Sequence, residues 1–169
     1  MKRIGVLSDT HYYLHDRLFH FFENVDEIWH AGDFGDLQTA AKLANFKKLR
    51  GVYGNIDGQD VRAVYPLHQR FMCEKVDVWI THIGGYPGRY DRKIKDELLA
   101  NPPKLFISGH SHILKVIYDK RLNLLHVNPG AAGLRGFHKV STAVRFIIDG
   151  NDIRDLEVWE MKKPDKLSG

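Results

Sequence analysis

A chain of 169 residues, 43% apolar and 27% charged, has the make-up and length of an ordinary globular protein; this excludes a fibre, a coiled coil or a disordered tail and predicts one domain over residues 1–169. The 25 Lys and Arg against 21 Asp and Glu leave a charge of +4, too small and too scattered to make nucleic acid an expected partner. No apolar run approaches the roughly 18–20 residues that span a bilayer, and residues 1–5 run straight into a strand pattern, so no membrane partner and a cytoplasmic location are expected.

Residues 3–8 read as a buried strand, and Leu18, Phe21, Phe22 and Val25 follow at helical spacing. Residues 27–31 repeat the strand, Gly32-Asp33 ends it, and Leu37, Ala40, Ala41 and Ala44 predict a second helix. A third strand at 48–53 stops at Gly54-Asn55. Strands alternating with helices predict a parallel sheet with right-handed crossovers. Beyond Pro66 the pattern changes: 69–73 and 76–81 predict a hairpin around Glu74-Lys75, and 84–89 a polar, Gly-rich loop. A helix is expected over 91–100, stopped by Asn101-Pro102-Pro103, then strands at 104–108, 114–118, 122–127, 142–148 and 153–160. The α/β fold expected is two sheets packed face to face with helices outside, ending in a frayed basic tail from about residue 161. The lone cysteine, Cys73, reads as a small buried apolar residue.

The chemistry gathers where strands run out into loops, the position at which α/β sheets hold ligands. Asp9-Thr10-His11, Gly32-Asp33, Gly54-Asn55, Thr81-His82 and Gly109-His110-Ser111-His112 each follow a predicted strand, spaced by about one structural unit. Singly, each is an ordinary cap or turn. Five such ends bearing Asp, Asn or His, with no Lys among them, instead predict a metal centre. His110 and His112, two apart on an extended segment, would point the same way and bracket neighbouring ions.

This ordered set resembles the calcineurin-like metallophosphoesterases, and the length together with the Asn128-Pro129-Gly130-Ala131 turn resembles their small single-domain bacterial and archaeal phosphodiesterase branch, over residues 4 to about 159. The resemblance implies a four-layer αββα sandwich of two mixed β-sheets flanked by helices, and two divalent transition-metal ions: manganese first, with iron, zinc or nickel as alternatives. Asp9, His11 and His112 would hold one ion, Asn55, His82 and His110 the other, and Asp33 would bridge them; Asp33, Asn55 and His82 would serve catalysis through the metals. A metal-bridging hydroxide would then hydrolyse a small phosphodiester substrate. Larger phosphatases of the family follow Gly-Asn with a histidine that can protonate the leaving group, whereas this chain has Ile56, so no separate general acid is identified and activated aryl diesters are expected to react best. Asp57 and His30 are either orienting groups or plain turn and strand-end residues, and Tyr86, Arg89, Tyr90 and Arg92 either contact substrate or decorate a surface loop. Residues 128–133 with Leu134 and Arg135 either shape the pocket rim or make only a rigid turn. The alternatives are a non-catalytic scaffold, as is the retromer's phosphoesterase-fold subunit, which resembles this small branch, or a nuclease; related small phosphoesterases make a homo-oligomer possible.

Overall fold

The computed structural model describes residues 1–164. Its elements in chain order are β1 (Lys2–Leu7), α1 (Asp16–Phe21), β2 (Glu27–His30), α2 (Leu37–Phe46), β3 (Lys48–Gly51), α3 (Gln59–Arg62), β4 (His68–Cys73) and β5 (Val76–Thr81). They continue with β6 (Gly85–Tyr86), β7 (Arg89–Tyr90), α4 (Lys95–Ala100), β8 (Leu105–Ile107), β9 (Leu114–Asp119), β10 (Leu124–Pro129), β11 (Val140–Asp149) and β12 (Asp152–Lys162). Two five-stranded sheets result, ordered β12-β11-β1-β2-β3 and β4-β5-β8-β10-β9. In the first, β1, β2 and β3 are parallel and β11 joins β1 antiparallel; in the second, β5, β8 and β10 are parallel, with β4 and β9 antiparallel at the edges.

Alternation along the strands sends one set of side chains between the sheets and the other beneath the helices. Ile4, Val6, Trp29, Val78, Ile107 and Phe146 fill the inter-sheet layer, with Cys73 buried at its margin. Leu7 and Ile28 face the other way, onto Leu18 of α1 and Leu43 of α2, while Trp79 and Phe106 meet Leu98 of α4. The four-layer αββα sandwich is therefore present, and the apolar parallel strands are covered on both faces. Among the described residues no helix is long and apolar enough to cross a membrane.

Several boundaries differ from expectation. The first helix stops at Phe21, and Phe22 and Val25 reach the same apolar cluster from a turn. The helix expected over 91–100 begins at Lys95, because residues 91–94 form a turn in which Ile94 N donates to Asp91 O. The loop expected over 84–89 holds the two-residue ladder β6–β7, too short to show a period. β12 runs to Lys162, opposite Val140, so pairing persists beyond residue 161, and 165–169 of the expected tail lie outside the described residues.

Candidate metal centre

Five strand-following loops meet along one edge of the two sheets, stitched by their own backbones. Asp9 N donates to Gly32 O at 2.9 Å, His11 N to Asp33 O at 3.1 Å, and Gly109 N to His82 O at 2.9 Å. The last bond joins the loops after β5 and β8; the others join those after β1 and β2. Contact is close enough to require glycine twice: a Cβ on Gly54 would lie 2.1 Å from Asp33 Oδ1, and one on Gly109 2.1 Å from Ser8 Oγ.

The donors stand on unusual backbone. Asp9, His11, Asp33, His110 and His112 all have positive φ, between 44° and 73°. A side chain in the left-handed region costs about 1 kcal/mol or more, and such residues cluster at functional sites. The extended geometry expected for residues 110–112 is thus absent. Both histidines are left-handed, and the loop turns so that His112 Nε2 lies 3.1 Å from Asp9 Oδ1 while His110 Nδ1 donates to Asn55 Oδ1 at 3.1 Å.

Asp57 answers for much of this precision. It is buried, and its carboxylate accepts from four backbone amides: Asp33 N at 3.0 Å, Phe34 N at 3.2 Å, Gly35 N at 3.0 Å and Gly54 N at 2.8 Å. It fixes the Asp33 turn and ties it to the loop of Asn55. His30, fully buried and stacked on Phe34, accepts from Gly32 N at 3.0 Å and donates to Thr10 Oγ1 at 3.0 Å; burial pushes its pKa down to about 3, so it stays neutral. Both residues support the site from behind.

The seven nominated side chains come together here. Asp9, His11 and His112 present ligand atoms within 4.8 Å of one another, and so do Asp33, His82 and His110, so two groups can each hold a metal ion. His11 Nε2 is 3.7 Å from both Asp9 Oδ1 and Asp33 Oδ2, while His82 Nε2 is 3.1 Å from Asp33 Oδ2 and 3.8 Å from Asp9 Oδ1. The groups are contiguous, with Asp33 between them, and Asn55 enters through His110. Ser8 Oγ donates to Asp9 Oδ2 at 2.6 Å, and His110 N donates to the same oxygen at 3.1 Å.

Hydrogen bonding tests whether cations fit. His82 Nδ1 donates to Ala31 O at 2.7 Å, which in the neutral ring turns the Nε2 lone pair toward two carboxylates. Among the described residues Asp9 Oδ1, both ring nitrogens of His11 and His82 Nε2 are buried without a hydrogen-bond partner. Acceptors facing acceptors in a buried space are costly unless a proton or a metal lies between them. The pKa directions report the same tension. Burial alone would raise the Asp9 carboxyl, yet the His11 and His112 rings facing it, the His82 charge and the Ser8 hydrogen bond hold it well below the usual carboxylate range. Burial would lower His82, but Asp33 and Asp9 lift it above its ordinary value. Nitrogen and oxygen donors without thiolates suit the ions expected from the sequence.

Two openings reach the centre. A cleft of about 520 Å³ is lined by Tyr86, Arg89, Tyr90, Arg92, His110 and Lys115 among others, and a groove of about 390 Å³ by Tyr53, Asn55, Arg62, His68 and His82 among others. The loop aromatics and arginines thus wall a cleft instead of decorating a surface. Arg135 lies 5.4 Å from the centroid of the ring of Tyr12, the residue after His11, whereas Leu134 lines a separate pocket with Tyr13 and Trp159. Ser8, Asn128 and His138 are supporting residues that the sequence reading does not single out as such. Asn128 Nδ2 donates to Gly109 O and to Ser111 Oγ, both at 3.1 Å, and the His138 ring meets His112 edge-on at 5.2 Å. The turn starting at Asn128 was a visible signal, and Ser8 borders Asp9, but nothing in the pattern around His138 marks it.

A mixed-donor pocket at the strand ends of an αββα sandwich defines a class, and comparison with known proteins gives the family. The chain belongs to the calcineurin-like phosphoesterase superfamily, whose domain matches residues 1–151. A probable metallophosphoesterase of Methanocaldococcus jannaschii is 36% identical over 140 residues, covering 76% of this chain and 67% of that one. Among solved structures, an archaeal phosphodiesterase is 21% identical over 93% of this chain and 99% of its own, with a TM-score of 0.70. Vps29 of Chaetomium thermophilum is 15% identical over 97% and 100%, with a TM-score of 0.74. These two structural likenesses speak for the fold alone.

Proposed function

We propose that this protein is a phosphodiesterase with two divalent ions, Asp9, His11 and His112 on one, Asn55, His82 and His110 on the other, and Asp33 shared. The observation that carries the proposal is the set of buried nitrogens and oxygens, without partners among the described residues, facing each other across Asp9 and Asp33. Two such ions, manganese first, would supply a water of lowered pKa and take up charge on the phosphoryl oxygens. The protein's part is to hold the donors still: Ala31 O orients His82, Ser8 and His110 N orient Asp9, and Ile56 N donates to Asp33 Oδ1 at 3.0 Å. Ile56 offers that amide and an exposed apolar side chain, with no proton for a leaving group. Poor leaving groups should therefore react slowly, and aryl diesters should outpace alkyl monoesters.

The competing reading, a non-catalytic interaction subunit, draws on the Vps29 likeness. Such a protein needs no complete donor set, whereas the enzyme reading is supported here by two groups of donors, Asp9 with His11 and His112 and Asp33 with His82 and His110, with Asn55 hydrogen-bonded to His110. Metal analysis and kinetics separate the two. About two equivalents of manganese per chain with hydrolysis of bis-p-nitrophenyl phosphate support the enzyme, whereas failure to bind metal after reconstitution supports the scaffold. Faster turnover of alkyl monoesters than of aryl diesters would remove the argument from Ile56.

A further inference from the structure

The cleft beside His110 carries charge with no protein counterpart. Among the described residues Arg89, Arg92 and Lys115, which line this one cleft together, take part in no ion pair. Asp91 is the single acid in the lining, and its Oδ1 is engaged by Lys93 N at 3.0 Å.

The cations stand on a braced frame. Arg89 belongs to the β6–β7 hairpin, which Tyr90 fastens to the end of β9 by donating to Asp119 Oδ2 at 2.6 Å. Burial and Asp119 push the Tyr90 hydroxyl well above its usual pKa, so this tie persists through the physiological range. Lys115 of β9 is half-buried, with its Nζ 3.5 Å from the centre of the Tyr86 ring on the facing hairpin. Two crosslinks thus hold hairpin and sheet edge a fixed width apart. Arginine forks and a lysine point charge on such a frame match the oxygens of a phosphate.

A phosphodiester has one negative charge, which two divalent ions set against Asp9 and Asp33 would already meet at the proposed metal centre. Three further cations in the adjoining cleft call for a second anion on the same molecule. We infer that this cleft is a subsite for a phosphate other than the one cleaved, so that the substrate is a phosphodiester carrying an additional phosphoryl group, as the ester of a nucleoside bisphosphate does. This rests on the phosphodiesterase proposal. A volume of about 520 Å³ lies in the usual range for small-ligand pockets.

The test pairs binding with turnover. By titration calorimetry, manganese-loaded protein should bind thymidine 3′,5′-bisphosphate at least about tenfold more tightly than thymidine 5′-monophosphate, and Arg89→Gln or Lys115→Gln should each remove most of that advantage. The 5′-p-nitrophenyl esters of the same two nucleotides share a leaving group, so the ratio of their kcat/KM values should show the same preference and lose it in the same variants. Equal affinity for the two nucleotides, or a preference unmoved by either substitution, overturns the inference. Hydrolysis without preference discards the subsite and keeps the phosphodiesterase. Preference in binding without hydrolysis does the reverse. Affinity for oligonucleotides that keeps rising with length, with a steep salt dependence, would point to a polymer groove and also overturn it.

Discussion

The two groups that meet at Asp33 differ in their distance from solvent. In the first, the Asp9 side chain is fully buried and those of His11 and His112 are 8% and 19% exposed, with Ser8 and His110 N bonded to the carboxylate from behind. In the second, Asp33 and His82 are as deep, but His110 and Asn55 stand at the surface and hold mainly each other. Enclosure excludes competing water and fixes geometry; exposure permits exchange. The contrast teaches that, were both groups to hold ions, the inner one would release its ion more slowly than the outer one.

The most severe way to break the comparison is to remove what both groups share. Asp33→Ala should lower kcat/KM for an aryl diester by about 10³-fold or more and take bound manganese below two equivalents, and a loss under tenfold would contradict a shared carboxylate. Asp57→Ala acts one layer further out. It strips four amides of their acceptor, so we expect a loss of about 2–4 kcal/mol in denaturant unfolding and a 10–100-fold weaker metal affinity. The comparison is sharpened by taking one histidine from each side. His110→Ala should keep close to one tightly held ion under graded chelation, while His112→Ala should release its ions at about tenfold lower chelator; identical release curves would erase the distinction.

The smallest effect concerns a histidine away from the centre. His126 donates through Nδ1 to Phe106 O at 3.2 Å, and burial lowers its pKa from 6.5 to about 4. The unfolded chain therefore binds the proton first as pH falls, so the stability present above pH 6.5 declines toward pH 4 and then levels off. His126→Gln should flatten that limb by about 1–3 kcal/mol, read from unfolding free energies across the range.

Much of the candidate centre was legible because each candidate ligand follows a strand, and parallel strands end along one edge of their sheet. Asp9, Asp33, Asn55, His82 and His110 recur at nearly the length of one structural unit, which is topology written as spacing. What supports them was less legible. Asp57 resembles any turn aspartate until its carboxylate is seen to gather amides from two loops. The left-handed backbone at His110 and His112 contradicts the extended segment their spacing suggests, because φ depends on which neighbours the side chains must reach. A ladder as short as β6–β7 contains too few residues for any alternation, so its hairpin reads as loop.

The backbone of the ligand residues has a thermal consequence. Five left-handed positions at about 1 kcal/mol each take a sizeable part of the roughly 5–15 kcal/mol by which a folded domain outweighs its unfolded chain. Glycine would relax every one of them and delete the donor with it, so the amides gathered by Asp57 offset part of the strain and bound ions would offset more. Heat resistance in this chain should accordingly rise and fall with mineral supply, and a chelated sample should melt first from the edge where the loops are stitched.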